Sequence, residues 1–378
     1  MRTALRQSAF CLLFALVAAS AQQPTVSEAP RLIPQEAYAG YWTDEPGWHT
    51  ELEIRNNLRA APIEVTPVLR LADGTEISLS PRNIEANSAA MVDLSAELEA
   101  KTPALAGKPG TFGSVVFRYT ASNSTSVFAA AMVERTGAPI KYHFDAFPYT
   151  SEFTSTSVES IWWLPKPSST DVLVVANMTD KPIAAKVSIT NSKGKPVALS
   201  DGLAPLQTKR FIVRELIQSG KLDGTEGGVS VSFDRPVGIN DVQVSHFVYD
   251  ESDGFSALLR TFSRDSSSSA TDWTFRAPMV ALARPDPALG YPADTVFAPR
   301  VMVRNASSAD LAVSGRVNWR SASTPARRPL PLARLRQEKR SRSTLPPCKA
   351  PGTYHRMHNG RRFRCPTRGA METWSRLR

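Results

Sequence analysis

The chain has 378 residues, enough for two or three domains of ordinary size. It is 42% hydrophobic and 21% charged, with 29 prolines against 20 glycines, which excludes the collagen-like, coiled-coil and wholly disordered classes. The net charge of +10 misdescribes the body, because residues 325–378 carry 15 Lys/Arg against only Glu338 and Glu372 and leave the first 324 residues at −3. A nucleic-acid partner is therefore not implied.

The N-terminus places Arg2 and Arg6 before an apolar run from Ala9 to Ala18, then Ala19-Ser20-Ala21 and polar Gln22-Gln23-Pro24. That order is a secretory signal peptide, with cleavage expected after Ala21. The run, about ten residues, is half of the roughly 20 that a membrane-spanning helix needs, so no span is expected after cleavage. Cys11 lies in this signal and Cys348 and Cys365 in the tail, so residues 22–347 contain no cysteine. The body rests on apolar cores rather than disulfides, and an exported bacterial protein is expected, extracellular, on the cell surface or periplasmic.

Self-similarity organises the rest of the chain. Tyr41-Trp42, Asn57, Pro62 and Gly74 recur 120 residues later as Ile161-Trp162, Asn177, Pro182 and Gly194. Leu52 and Ile54 pair with Val172 and Val174 at that offset, Ile77 and Leu79 with Val197 and Leu199, and Val92 with Ile212. The offset then falls to 114, pairing Gly110, Gly113, Val115 and Phe117 with Gly224, Gly227, Val229 and Val231. A third copy begins 128 residues after the second, with Met302, Asn305, Leu311 and Val317 matching Val174, Asn177, Ile183 and Ile189.

Within the unit, Ile63, Val65, Leu69 and Leu71 alternate around Pro67, the pattern of a half-buried strand. Asp73-Gly74 and Lys193-Gly194 predict hairpins. Segments 114–119 and 229–233 predict further strands, and Leu94–Leu98 and Arg214–Ile217 a helical turn each. Short strands with frequent turns predict an all-β fold. The order of strand, Asn turn, Pro, alternating strand and Gly hairpin resembles tandem immunoglobulin-like modules of secreted bacterial proteins, including cell-adhesion-related domains. The resemblance implies antiparallel β-sandwiches used as spacers, adhesion units or accessory domains, without a catalytic residue to assign.

The expected organisation is a signal peptide at 1–21, a linker at 22–40, sandwich repeats at 41–158 and 159–272, a partial third repeat at 273–324, and a basic tail at 325–378. The third copy breaks off near Thr324, where composition changes abruptly. Out-of-frame translation of the remaining half-module explains both the broken repeat and the basic composition; the alternative is a disordered basic tail that binds an acidic cell-surface polymer.

Candidate chemistry is sparse. His143 and His246, each beside aromatic residues, are expected to be surface strand histidines; His49 carries no motif. Asp250-Glu251-Ser252-Asp253-Gly254 lacks the spacing of a calcium loop and predicts a solvated hairpin turn. Cys348, His355, His358 and Cys365 are zinc-ligand types at an unfamiliar spacing, so no metal or other cofactor is expected. The sequons at Asn123, Asn177 and Asn305 matter only in a eukaryotic secretory pathway. Trp42 and Trp162 are expected to be packing residues, while Trp48 and Trp163 are the candidates for stacking on a sugar. The expected function is a non-catalytic structural, adhesion or surface-interaction role with a protein or polysaccharide partner. A carbohydrate-binding accessory module comes second, and an enzyme with a loop-assembled site third.

Overall fold

The computed structural model describes residues 31–148, 154–238, 240–265 and 300–305, with short strand segments between 311 and 364. The signal sequence, Trp273, Cys348, His358 and Cys365 lie outside the described residues, as do the side chain of His355 and most of the third copy.

The protein is all-β and every strand pairing is antiparallel, as the alternating pattern predicts. The first unit contains β1 (Ile33–Thr43), β2 (Trp48–Asn56), β3 (Ile63–Leu71), β4 (Glu76–Ser78), β5 (Arg82–Ile84) and β6 (Ala89–Asp93). It continues through helix α1 (Leu94–Lys101), β7 (Phe112–Ala121), β8 (Val127–Arg135), β9 (Lys141–Asp145) and β10 (Phe147–Pro148). Its first strand begins at Ile33, inside the stretch read as linker. One sheet has the order β10-β1-β7-β3-β4 with β5 also on β3; the other is β6-β2-β8-β9. Pro67 lies in β3 where the partner changes from β4 to β5. Its carbonyl accepts Leu79 N–H, so the missing N–H would have pointed into that gap, where no ladder bond is lost.

The second unit repeats this with β11 (Thr154–Trp163), β12 (Thr170–Asn177), β13 (Ala185–Asn191), β14 (Pro196–Ser200), β15 (Thr208–Ile212) and helix α2 (Val213–Gln218). It closes with β16 (Glu226–Gly238), β17 (Val242–Asp250), β18 (Phe255–Leu258) and β19 (Phe262–Asp265). Its sheets are β14-β13-β16-β11-β19 and β15-β12-β17-β18. Both predicted helical turns are present as α1 and α2. Asp93 caps α1 through its side chain, whereas α2 has no side-chain cap.

The four sheets stand as four blades, a β-propeller-like arrangement, and not as immunoglobulin sandwiches. Connectivity gives the reason. The first two immunoglobulin strands share a sheet, whereas β1, β2 and β3 go to alternate sheets. An alternating strand pattern fixes which residues turn inward but not which sheet the next strand joins.

Two large apolar clusters result. Leu52, Leu69, Phe117 and Ala131 share one, and Leu173, Val187, Val231 and Val242 share the other. Strand β12 serves both: Leu173 and Val175 face their own unit, while Val172 and Val174 join the cluster of the first unit. Its near-continuous apolar run reflects burial on both faces. Around it, Gln243 Nε2 donates to Tyr38 O at 2.8 Å, Arg70 Nη1 to Met178 O at 2.9 Å and Tyr142 Oη to Val248 O at 2.9 Å.

The repeat register is confirmed in part and corrected in part. Trp42 pairs across from Gly113 and Trp162 from Gly227, so both offsets, 120 and 114, hold there. The Asn turn is offset by 121 instead. Asn56, not Asn57, donates its side-chain amide to Ala61 O and Ile84 O, as Asn177 does to Lys181 O and Ala204 O. Leu52 and Ile54 therefore match Leu173 and Val175 rather than Val172 and Val174. Val92, paired with Leu52, matches Phe211, paired with Leu173, rather than Ile212. A one-residue slip reverses the face of every side chain, and in β12 both faces are apolar, so apolarity alone cannot reveal the slip.

Candidate functional site

The densest cluster of chemically capable side chains is buried in the second unit. Strand β11 supplies Ser160, the start of β12 supplies Asp171, and β17 supplies His246, each at most 3% exposed. His246 Nδ1 lies 2.7 Å from Ser160 Oγ, and Nε2 lies 2.8 Å from Asp171 Oδ1. His246 is thus a core residue, not the surface strand histidine expected. The sheet partner of Leu173 points inward, and at that position the imidazole is held by polar groups from both sheets.

Serine, histidine and aspartate are the residue types of acyl transfer; here all three are buried and bond one another and the backbone. Ser160 Oγ also lies 2.8 Å from Arg260 O, so its single proton has two acceptors in reach, the carbonyl and His246 Nδ1. Asp171 Oδ2 meanwhile accepts Trp163 N–H at 2.9 Å. The cluster joins β11, β12, β17 and the crossing between β18 and β19 through groups that bond one another. Burial without partners would make each of them costly.

The first unit shows what this network replaces. Thr50 and Ala131 occupy the positions of Asp171 and His246, as their pairings opposite Val133 and Leu52 show. Thr50 Oγ1 accepts Thr43 N–H at 3.2 Å, as Asp171 accepts that of Trp163. A single threonine does in one unit what an aspartate–histidine–serine network does in the other. Only the alignment of the two units exposes this substitution; spacing alone gives no Ser-x-His or His-x-Asp motif to find.

The remaining candidates are separate. His143 is exposed on β9, with Nδ1 2.9 Å from Asp145 Oδ1 and Nε2 3.6 Å from Glu53 Oε2. His49 Nδ1 lies 3.2 Å from Ser95 Oγ, which donates to buried Asp44; Asp44 also accepts Gly107 N–H at 2.8 Å and so pins the loop after α1. Asp250 to Gly254 form the β17–β18 hairpin, with Gly254 at φ +63°. Hydroxyls of Ser168, Ser252 and Ser169 hold the Asp250 carboxyl well below the usual range against the opposing effect of burial. Lys166 and Arg135 pair with Asp253 and Glu251, so this turn is tied by cations of the protein itself. Among the described residues no group of three His, Cys, Asp or Glu side chains is placed to hold a metal.

Trp48 and Trp163 are half-buried. Tyr249 meets Trp48 edge-on at 5.3 Å and the Arg135 guanidinium stands 5.3 Å from its ring; Phe255 meets Trp163 edge-on at 6.0 Å. Trp42 and Trp162 are fully buried, and their Nε1 atoms donate to Ser114 O and Thr190 O at 2.6 and 2.7 Å. No helix among the described residues is long and apolar enough to cross a membrane. Comparisons with protein-family models, curated proteins and solved structures find no match to this chain.

Proposed function

We propose that the chain is an exported, non-catalytic surface protein whose tandem two-sheet units form a stiff support. Such units would do what immunoglobulin-like modules do in adhesion and spacing, with a different strand order. The observation that carries the reading is β12, buried against its own unit on one face and against the preceding unit on the other. A strand shared between two cores couples the units directly, which suits load-bearing or display. The Ser160–His246–Asp171 network supports the same reading, since its three side chains are at most 3% exposed.

The partner is expected to be a protein or polysaccharide at the cell surface. The test is attachment: cells displaying the chain should adhere to a glycan or protein-coated surface, and cells lacking it should not. Equal attachment by both overturns the proposal. A carbohydrate-binding reading, favoured by the half-exposed edges of Trp48 and Trp163, requires glycan-array signal that disappears in Trp48→Ala or Trp163→Ala.

A further inference from the structure

The joint between the first two units contains a small cluster in which Ala176 and Met178 of the second meet Tyr38, Val68 and Val116 of the first. The last three lie on the outward face of β1, β3 and β7, since the neighbouring Val115 and Phe117 turn into the core. The corresponding outward face exists on the second unit. Ser230 stands 114 residues after Val116, and its partner across the ladder is Glu159, as Tyr38 is the partner of Val116.

Arg304 stands 128 residues after Ala176, at the offset of the third copy. It reaches that second face. Its guanidinium pairs with Glu159 and donates to Val229 O at 2.7 Å, and only 11% of the side chain is exposed. Ser230 Oγ steadies the same carboxylate at 3.0 Å. Gly228 makes room: a Cβ there would lie 2.4 Å from Arg304 Nε. The first unit has Ser114 at this position, and the arginine at its joint is its own Arg70, the cross-strand partner of Ser114, which donates to Met178 O.

From this we infer that the outward face of β11, β13 and β16 is the docking surface for the third repeat of this same chain, engaged through Arg304 in the way Ala176 engages the first unit. The joint is repeated in position but changed in chemistry, from an apolar cluster to a charge pair seated over a glycine. Such a change distinguishes the two joints, because Ala176 offers Glu159 no cation, and the carboxylate beside Tyr38, Glu36, is already paired with Arg118. The opposite face of the first unit presents Glu51, Glu53 and Arg55 where β12 presents Val172, Val174 and Ala176, so the apolar joint is not repeated there.

The inference goes beyond a support role and is tested in the full chain by amide hydrogen exchange. Glu159→Lys, Arg304→Glu and, independently, Gly228→Ala should each cut protection of Val301–Val303 by about tenfold or more, as expected for a largely buried charge pair that loses a partner. Protection at β12 should be unchanged, which separates opening of this joint from unfolding of the unit. The combined Glu159→Lys and Arg304→Glu swap should restore protection. Single variants without effect, parallel loss at β12, or a swap that restores nothing would each overturn the inference.

Discussion

Arg210 of β15 grips Glu45, on the turn after β1, across the joint between the two units. One guanidinium nitrogen pairs with Oε2 and the other lies 3.0 Å from Oε1, while the guanidinium carbon stands 4.0 Å from the centre of the Phe112 ring. Burial works against the charge on both partners. The pair more than offsets it, so the Glu45 carboxyl falls below its usual value and the Arg210 guanidinium rises above its own.

Removing either partner should uncouple the units. Glu45→Ala or Arg210→Ala leaves a largely buried charge without its mate, an effect of about 2–5 kcal/mol. Differential scanning calorimetry should then resolve two transitions in place of one. A single unshifted transition would show that the pair contributes nothing to the joint.

The same pair sets a pH dependence. A carboxyl whose folded value is depressed contributes stability that is complete above its unfolded value, near 4.5, and is lost as pH falls through the folded value. Coupling of the units should hold through neutral and mildly acid solution and fail below the ordinary carboxylate range. Glu45→Gln should remove this share of the acid response. Identical acid unfolding of the variant and the native protein would assign the response to other groups.

His246→Ala should destabilise the second unit by about 3–5 kcal/mol, because it leaves Asp171 as a buried charge without its imidazole partner. Ser160→Ala should cost less, about 1–3 kcal/mol, the penalty of one orphaned group. Urea denaturation measures both. An enzyme built on these residues would show the reverse, full stability with lost turnover.

Close backbone approach dictates two glycines. A Cβ on Gly113 would lie 1.7 Å from Arg70 O, and one on Gly227 would lie 1.8 Å from both Thr190 O and Trp162 Nε1. Either Ala variant should lose about 3 kcal/mol or more as the strands part. Melting within a degree of the native protein would exclude the clash.

Gly74 and Gly194 test the hairpins separately, with φ of +91° and +80°. Valine at either position should cost about 1–2 kcal/mol for the left-handed backbone alone. Gly74→Val should cost more than that, since its Cβ would lie 2.7 Å from Pro205 O across the joint. Equal thermal shifts in the two units would refute the extra contact.

The strands, the duplication, both short helices and the two hairpin glycines were legible in the amino-acid order alone. These depend on local geometry: a period of two along a strand, a turn residue, a positive φ. The recurrence of Trp42 and of Gly113 was legible too, but that each tryptophan faces its glycine emerged only from the folded sheet. Three further features emerge only from the folded arrangement. The sheet that each strand joins depends on connections whose residues carry no address. The face of β12 depends on a neighbouring unit that makes both of its faces apolar, which hid the slip from Asn57 to Asn56. The meeting of Ser160, Asp171 and His246 depends on three strands folding together, since residues 75 and 86 positions apart share no spacing that chemistry requires in the linear chain.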